Sequence, residues 1–239
     1  MPSRGSAKRA MSADSGLRAV ILTAMPEERA PLRRRGFGAD VLVAATGVGP
    51  MNAARAAARL FARHRPRLVV GAGVAGALSE DLGVGDIFVA RRVLDAAGAA
   101  PPPDPELTAR ASAMAGARSG TLVCVERPLV TASEKASWAA RVEAPAAVDM
   151  ESAAWARAAA AHGIPYVVLR AISDHALDEL PGYVSGCMDK DGGIRRWAVA
   201  LHAMAEPSTI PVLRRMQHRV RDCAERLAAF VEHFLAAGA

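Results

Sequence analysis

Short apolar runs rich in β-branched residues alternate along this chain with longer stretches of helical periodicity, and that alternation restricts it to a sheet flanked by helices. Candidate strands fall at residues 18–23, 40–45, 68–72, 86–93, 121–125, 146–150 and 166–172. Helical patterns lie between them at 27–35, 50–64, 105–115, 133–141 and 151–162. Ser133 reads as an N-cap followed by a charged first turn, and His162-Gly163-Ile164-Pro165 is a helix stop. Several strands are apolar on both faces, as central parallel strands are, so the expectation is an α/β chain with a mostly parallel sheet. Residues 96–105 read as a loop. The 239 residues are 51% hydrophobic and 23% charged, enough for one well-buried domain over 17–239 behind a flexible tail at 1–16.

Several classes of function are set aside at this level. The longest uncharged apolar run, 69–78, is far shorter than the ~18 residues of a membrane span. The first residues, MPSRGSAKRAMSADSG, carry no apolar signal core, so the expected location is cytoplasmic. Cys124, Cys187 and Cys223 fit neither a disulfide framework nor a metal spacing, and no metal or cofactor is expected. The net charge of +6 admits anionic partners, but the arginines are scattered and aromatics are only 4%, which argues against nucleic acid. The terminal helix, 211 to about 235, carries Leu213, Met216, Val220, Cys223, Leu227, Phe230 and Phe234 at alternating spacings of three and four. Such a stripe packs on the core or on a partner subunit. Its flanking arginines also suit a membrane surface.

Acidic residues stand at the carboxyl ends of three candidate strands, where open α/β sheets place their sites. They are Glu27 and Glu28 in LTAMPEE, Glu151 in VDMES and Asp174 in RAISD. Each alone could be a helix N-terminal acid held by the helix dipole. Three together at corresponding strand ends are less easily read that way. Gly47, Gly49, Gly71, Gly73 and Gly76 would let backbone approach a ligand, although neither run is a full dinucleotide fingerprint. Ser173 lacks the flanking glycines of a hydrolase elbow, and His175 reads as solvent-facing. Residues 175–193 form a long irregular stretch of the kind that often makes a lid.

The motifs AMPEE, TGVGPMNAA, GAGVAGALSEDLGVGDIFV, VDMES and GIPYVVLRAISD, in that order over most of residues 18–174, resemble the nucleoside phosphorylase and nucleosidase superfamily. The resemblance implies a single three-layer α/β/α domain around a twisted, partly barrel-like mixed sheet, and a homo-oligomer. The segment LPGYVSGCMDKDGGIRRW with the arginine-rich terminal helix is similar to the hopanoid-associated phosphorylase subgroup, whose implied reaction releases adenine from adenosylhopane. By motif position, Asp174 matches the acid that assists purine N7. Glu151 matches the residue that holds the ribose hydroxyls, with Met150 against the sugar. Glu28 matches the glutamate that deprotonates water, with Glu27 as the alternative. Ser173, Gly73 and Val74 fall in the substrate-binding motifs.

Two departures shape the expectation. Phosphorylases of the superfamily hold phosphate with an arginine and a hydroxyl near the glycine run, where this chain has Gly71 and Val74, so water is the expected nucleophile. The Gly-Asp-any-Phe element of nucleosidases is replaced by Glu126-Arg127-Pro128-Leu129, which leaves Leu129 or Val130 to cover the adenine. The expected substrate is therefore an adenosyl compound, lipid-linked in the first reading. A methylthioadenosine-type nucleosidase and a catalytically silent binding protein of the same fold are the alternatives.

Overall fold

The computed structural model describes residues 16–180 and 210–237. The elements run β1 (Ala19–Thr23), α1 (Pro26–Arg34), β2 (Val41–Ala45), α2 (Pro50–Phe61), β3 (Leu68–Ala77), β4 (Ile87–Asp95), β5 (Gly98–Ala99) and α3 (Pro105–Ser112). They continue with β6 (Ala117–Cys124), α4 (Ala132–Ala139), β7 (Ala146–Asp149), α5 (Ser152–Ala161), β8 (Tyr166–Asp174) and α6 (Ile210–Ala236). The tail, the LPGYVSGCMDKDGGIRRW motif after Leu180, most of the expected lid and Cys187 lie outside the described residues.

β3 organises the sheet. Its first residues pair in parallel with β1, which in turn pairs in parallel with β2. Farther along the same strand, Gly76 and Ala77 pair antiparallel with β7. Its other edge pairs in parallel with β8. β8 then meets β4 antiparallel, β4 meets β6 in parallel, and β6 meets β7 in parallel, so the ladder returns to β3. The result is a five-stranded closed circuit with a two-stranded wing. The sheet is mostly parallel, as expected, and mixed only where β7 and β4 run against β3 and β8 to close it and at the β4–β5 hairpin. The expected loop at 96–105 also contains β5, which folds back on β4 as a hairpin.

Helices cover both faces. α2 and α5 contribute Ala53, Ala57, Phe61, Trp155, Ala156 and Ala159 to one core layer. α1 and α6 contribute Leu32, Cys223, Leu227, Phe230, Val231 and Phe234 to the other. The three-layer α/β/α arrangement follows from these two apolar faces. The α6 stripe thus packs on the sheet in its C-terminal half, while most of residues 214–222 face outward. No helix among the described residues is long and apolar enough to cross a membrane. One expected cap is corrected. Thr131, not Ser133, caps α4, its hydroxyl accepting from the Glu134 amide while the Glu134 carboxylate accepts from the Thr131 amide.

Candidate active site

The glycine run is not a loop that receives a ligand; β3 continues through it to Ala77. The glycines make room for side chains from neighbouring elements. A methyl group on Gly71 would lie 3.0 Å from the Trp155 ring. On Gly73 it would lie 2.7 Å from Arg170 Nη1 and 2.8 Å from Glu28 Oε1, and on Gly76 2.8 Å from Asp174 Oδ2. Trp155, Arg170, Glu28 and Asp174 are thereby brought against one strand.

Glu28 sits in the first turn of α1 and is 4% exposed. Its Oε2 accepts from the amides of Ala24 and Met25, and its Oε1 from the amide of Val74, each at 2.9 Å. Burial pushes its carboxyl above the ordinary range, and the three amides and Arg170 only partly offset this. A carboxylate made more basic and locked in place suits a general base. Glu27, one residue earlier, faces outward.

Arg170, from the middle of β8, is 1% exposed and was not singled out from the sequence. Its Nε and Nη2 donate to Asp149 Oδ2, Nη2 also to Ser152 Oγ at 2.7 Å, and its guanidinium lies 5.0 Å from the Trp155 ring centroid. Asp149 is further held by Ser152 and by the Cys124 thiol. Arg170 Nη1 is buried with no partner, on the side where Glu28 Oε1 lies.

Glu151 follows β7 at the N-cap of α5 and accepts from the Gly49 amide at 2.7 Å, at the start of α2. Burial first, and Asp149 second, push its carboxyl up to about 8, so near neutral pH it can donate as well as accept a hydrogen bond.

At the other end of β8 the pairing with β3 slips by one residue, so that Gly76 opposes Asp174 and Ser173 is the extra residue. Such a slip re-aims the strand end. The Ser173 hydroxyl reaches both Asp174 Oδ1 (2.7 Å) and the Ala75 carbonyl. Asp174 Oδ2 accepts from Lys135 Nζ at 2.5 Å. Lys135, the buried residue of α4, was also missed. His175 is tied to the Glu80 carbonyl.

A cleft of about 990 Å³ is lined by Met150, the neighbour of Glu151, but not by Glu28, Glu151, Arg170 or Asp174 themselves. Leu129 also lines it, as do Met51, Ala54, Ala154 and Ala158 of α2 and α5. Val130 is not among its walls; its amide donates to Glu134 and its carbonyl accepts from Leu180.

A family model of the phosphorylase superfamily matches residues 34–236. The chain belongs to the phosphorylase superfamily. A 5′-methylthioadenosine/S-adenosylhomocysteine nucleosidase of Geobacillus sp. (strain WCH70) is 40% identical over 57 residues, 24% of this chain and 25% of the relative. The chain thus spans about a quarter of that curated relative. The enzyme of the same description from Shewanella halifaxensis is 29% identical over 167 residues, 60% of this chain and 72% of the relative. The fold is that of the Helicobacter pylori 5′-methylthioadenosine/S-adenosylhomocysteine nucleosidase, with TM-score 0.70 and 18% identity over 93% of this chain and 99% of that one.

Proposed function

We propose that this superfamily member is an N-glycosidase that releases adenine from an adenosyl compound by hydrolysis. The observation that carries the reading is the buried Glu28 carboxylate, locked by three backbone amides and made more basic by burial. A water donating to Glu28 keeps a lone pair for the anomeric carbon. As the glycosidic bond breaks, its electrons pass to the purine, Asp174 serves N7, and Glu151 holds the ribose hydroxyls near the developing oxocarbenium charge. Met150 and Leu129 offer apolar surface to sugar and base.

Phosphate is a poor fit as the nucleophile. The Val74 amide is already bound to Glu28, and three carboxylates, Glu28, Asp149 and Glu151, surround the single guanidinium of Arg170. A dianion there would meet more repulsion than attraction.

The finer reading takes adenosylhopane as substrate, as the resemblance of the segment after Leu180 implies. The cleft beside Met150 is large, and its α2 and α5 walls are largely alanine and methionine, which suits a bulky apolar 5′ substituent. Burial of such a group is worth about 25 cal/mol per Å². The outward arginines Arg214, Arg215, Arg219 and Arg221 of α6 would then hold the protein at an anionic bilayer surface. A homo-oligomer remains part of the proposal. The second reading, a methylthioadenosine-type nucleosidase, is favoured by the descriptions of both sequence relatives.

The test is adenine release from adenosine, methylthioadenosine and liposome-borne adenosylhopane, with liposome co-sedimentation alongside. Preference for adenosylhopane is expected. Preference for methylthioadenosine without liposome binding supports the second reading, and no release from any substrate supports a binding protein.

A further inference from the structure

Lys135 is 1% exposed, although lysine is among the residues least often buried. A buried ammonium must find a partner for every proton, and this one does: Asp174 Oδ2 at 2.5 Å, the His175 carbonyl at 2.8 Å and the Asp178 carbonyl at 3.0 Å. No other side chain of α4 is buried. The helix is placed by the Thr131–Glu134 cap, with Glu134 itself held by Arg127 and by the Val130 amide. A rigidly capped surface helix thus delivers one charged group to the acid at the end of β8.

The proposed reaction makes this contact consequential. Adenine leaving without a proton is an anion far more basic than a carboxylate, and its departure needs an acid. The carboxylate of Asp174 has no proton of its own to give, but its partner Lys135 donates one to it directly. We propose that Lys135 is the positioning residue that supplies, through Asp174, the proton delivered to purine N7. As the C1′–N9 pair moves into the purine, Lys135 Nζ gives its proton to the Asp174 carboxylate, which passes it on to N7 and so ends the step as the carboxylate it was. Lys135 becomes the neutral amine and adenine leaves uncharged. The water that attacks C1′ gives its proton to Glu28. After product release, solvent returns a proton to Lys135 and removes one from Glu28, so atoms and charge balance over the cycle. Among the described residues, the other titratable groups near this point are His175, Asp178, paired with Arg219 of α6 at 2.9 Å, and the buried Cys223 of α6.

The inference rests on the proposed adenine release and is tested separately from it. Single-turnover adenine release from methylthioadenosine and from adenosine is measured for the wild type, K135M and K135R, with thermal unfolding of each. K135M is expected to lower kcat roughly 100-fold or more, with KM changed little. K135R keeps a positive charge and hydrogen-bond donors but does not give up a proton. It is expected to stay as slow as K135M, where a purely structural or electrostatic role predicts recovery. Should either variant fail to fold, K135A is assayed with and without ethylammonium; restored kcat that rises with the acidity of a series of alkylammonium ions supports proton supply. A kcat for K135M within about threefold of wild type, recovery by K135R, or no response of K135A to any alkylammonium overturns it. No release by the wild type overturns the underlying glycosidase reading instead.

Discussion

Replacing Glu28 by Gln separates the two jobs assigned to its carboxylate. Both oxygens accept backbone amides, Ala24 and Met25 on one and Val74 on the other. Glutamine has one carbonyl oxygen, so in either amide orientation its NH₂ faces at least one buried N–H. The unpaired donor costs about 1–3 kcal/mol. Removing a carboxylate whose charged form is penalised by burial returns part of this. The expected loss of stability is therefore modest, about 1–2 kcal/mol and visible as a lower urea midpoint with an unchanged slope. The effect on turnover is larger, because an amide cannot take a proton from water. A fall in kcat of roughly 100- to 10,000-fold is expected. The assay is chromatographic measurement of adenine released from methylthioadenosine, at saturating substrate and at temperatures well below both unfolding midpoints. A folded E28Q enzyme with kcat within about threefold of wild type would refute the general-base role, and an unfolded one would refute the stability estimate.

D174N should remain folded, since its carboxamide can still accept from Lys135, yet lose roughly 100-fold or more in adenine release; near-wild-type turnover would remove Asp174 from the mechanism. For Glu151, the folded carboxyl holds its proton up to about 8 against an ordinary 4.5, so over that window the folded state binds more protons than the unfolded. Wild-type stability should therefore fall relative to E151Q as pH rises from about 4.5 to about 8, and parallel urea-stability profiles of the two proteins would contradict the shift. A54W, in the wall of the cleft, should raise KM about tenfold or more for a substrate with a bulky apolar 5′ group while adenosine is little affected; equal effects on both would place the 5′ group elsewhere.

The elements were legible because their signals are local. Alternating apolar runs mark strands, and His162-Gly163 marks the end of α5. The extension of β3 to Ala77 was not legible, because glycine reads as a breaker unless the side chains it accommodates are known, and Trp155, Arg170, Glu28 and Asp174 come from distant segments. Arg170 and Lys135 were missed for a related reason. A lone arginine inside an apolar strand, VVLRAIS, is itself a signal, since burial there requires partners. Lys135 gave none, because in the first turn of a helix it looks like any solvated residue, and only the tertiary placement of Asp174 explains its burial. The choice between Glu27 and Glu28 likewise depends on which of the two turns inward at Met25.

The central claim is that water, not phosphate, attacks the anomeric carbon, and oxygen-18 labelling tests it most directly. Turnover of methylthioadenosine in H₂¹⁸O, with and without inorganic phosphate, is followed by mass spectrometry of the sugar product. The account predicts one ¹⁸O at the anomeric position of a free ribosyl product and a rate independent of phosphate. A ribosyl 1-phosphate product, formed at a rate that rises with phosphate concentration, would contradict it.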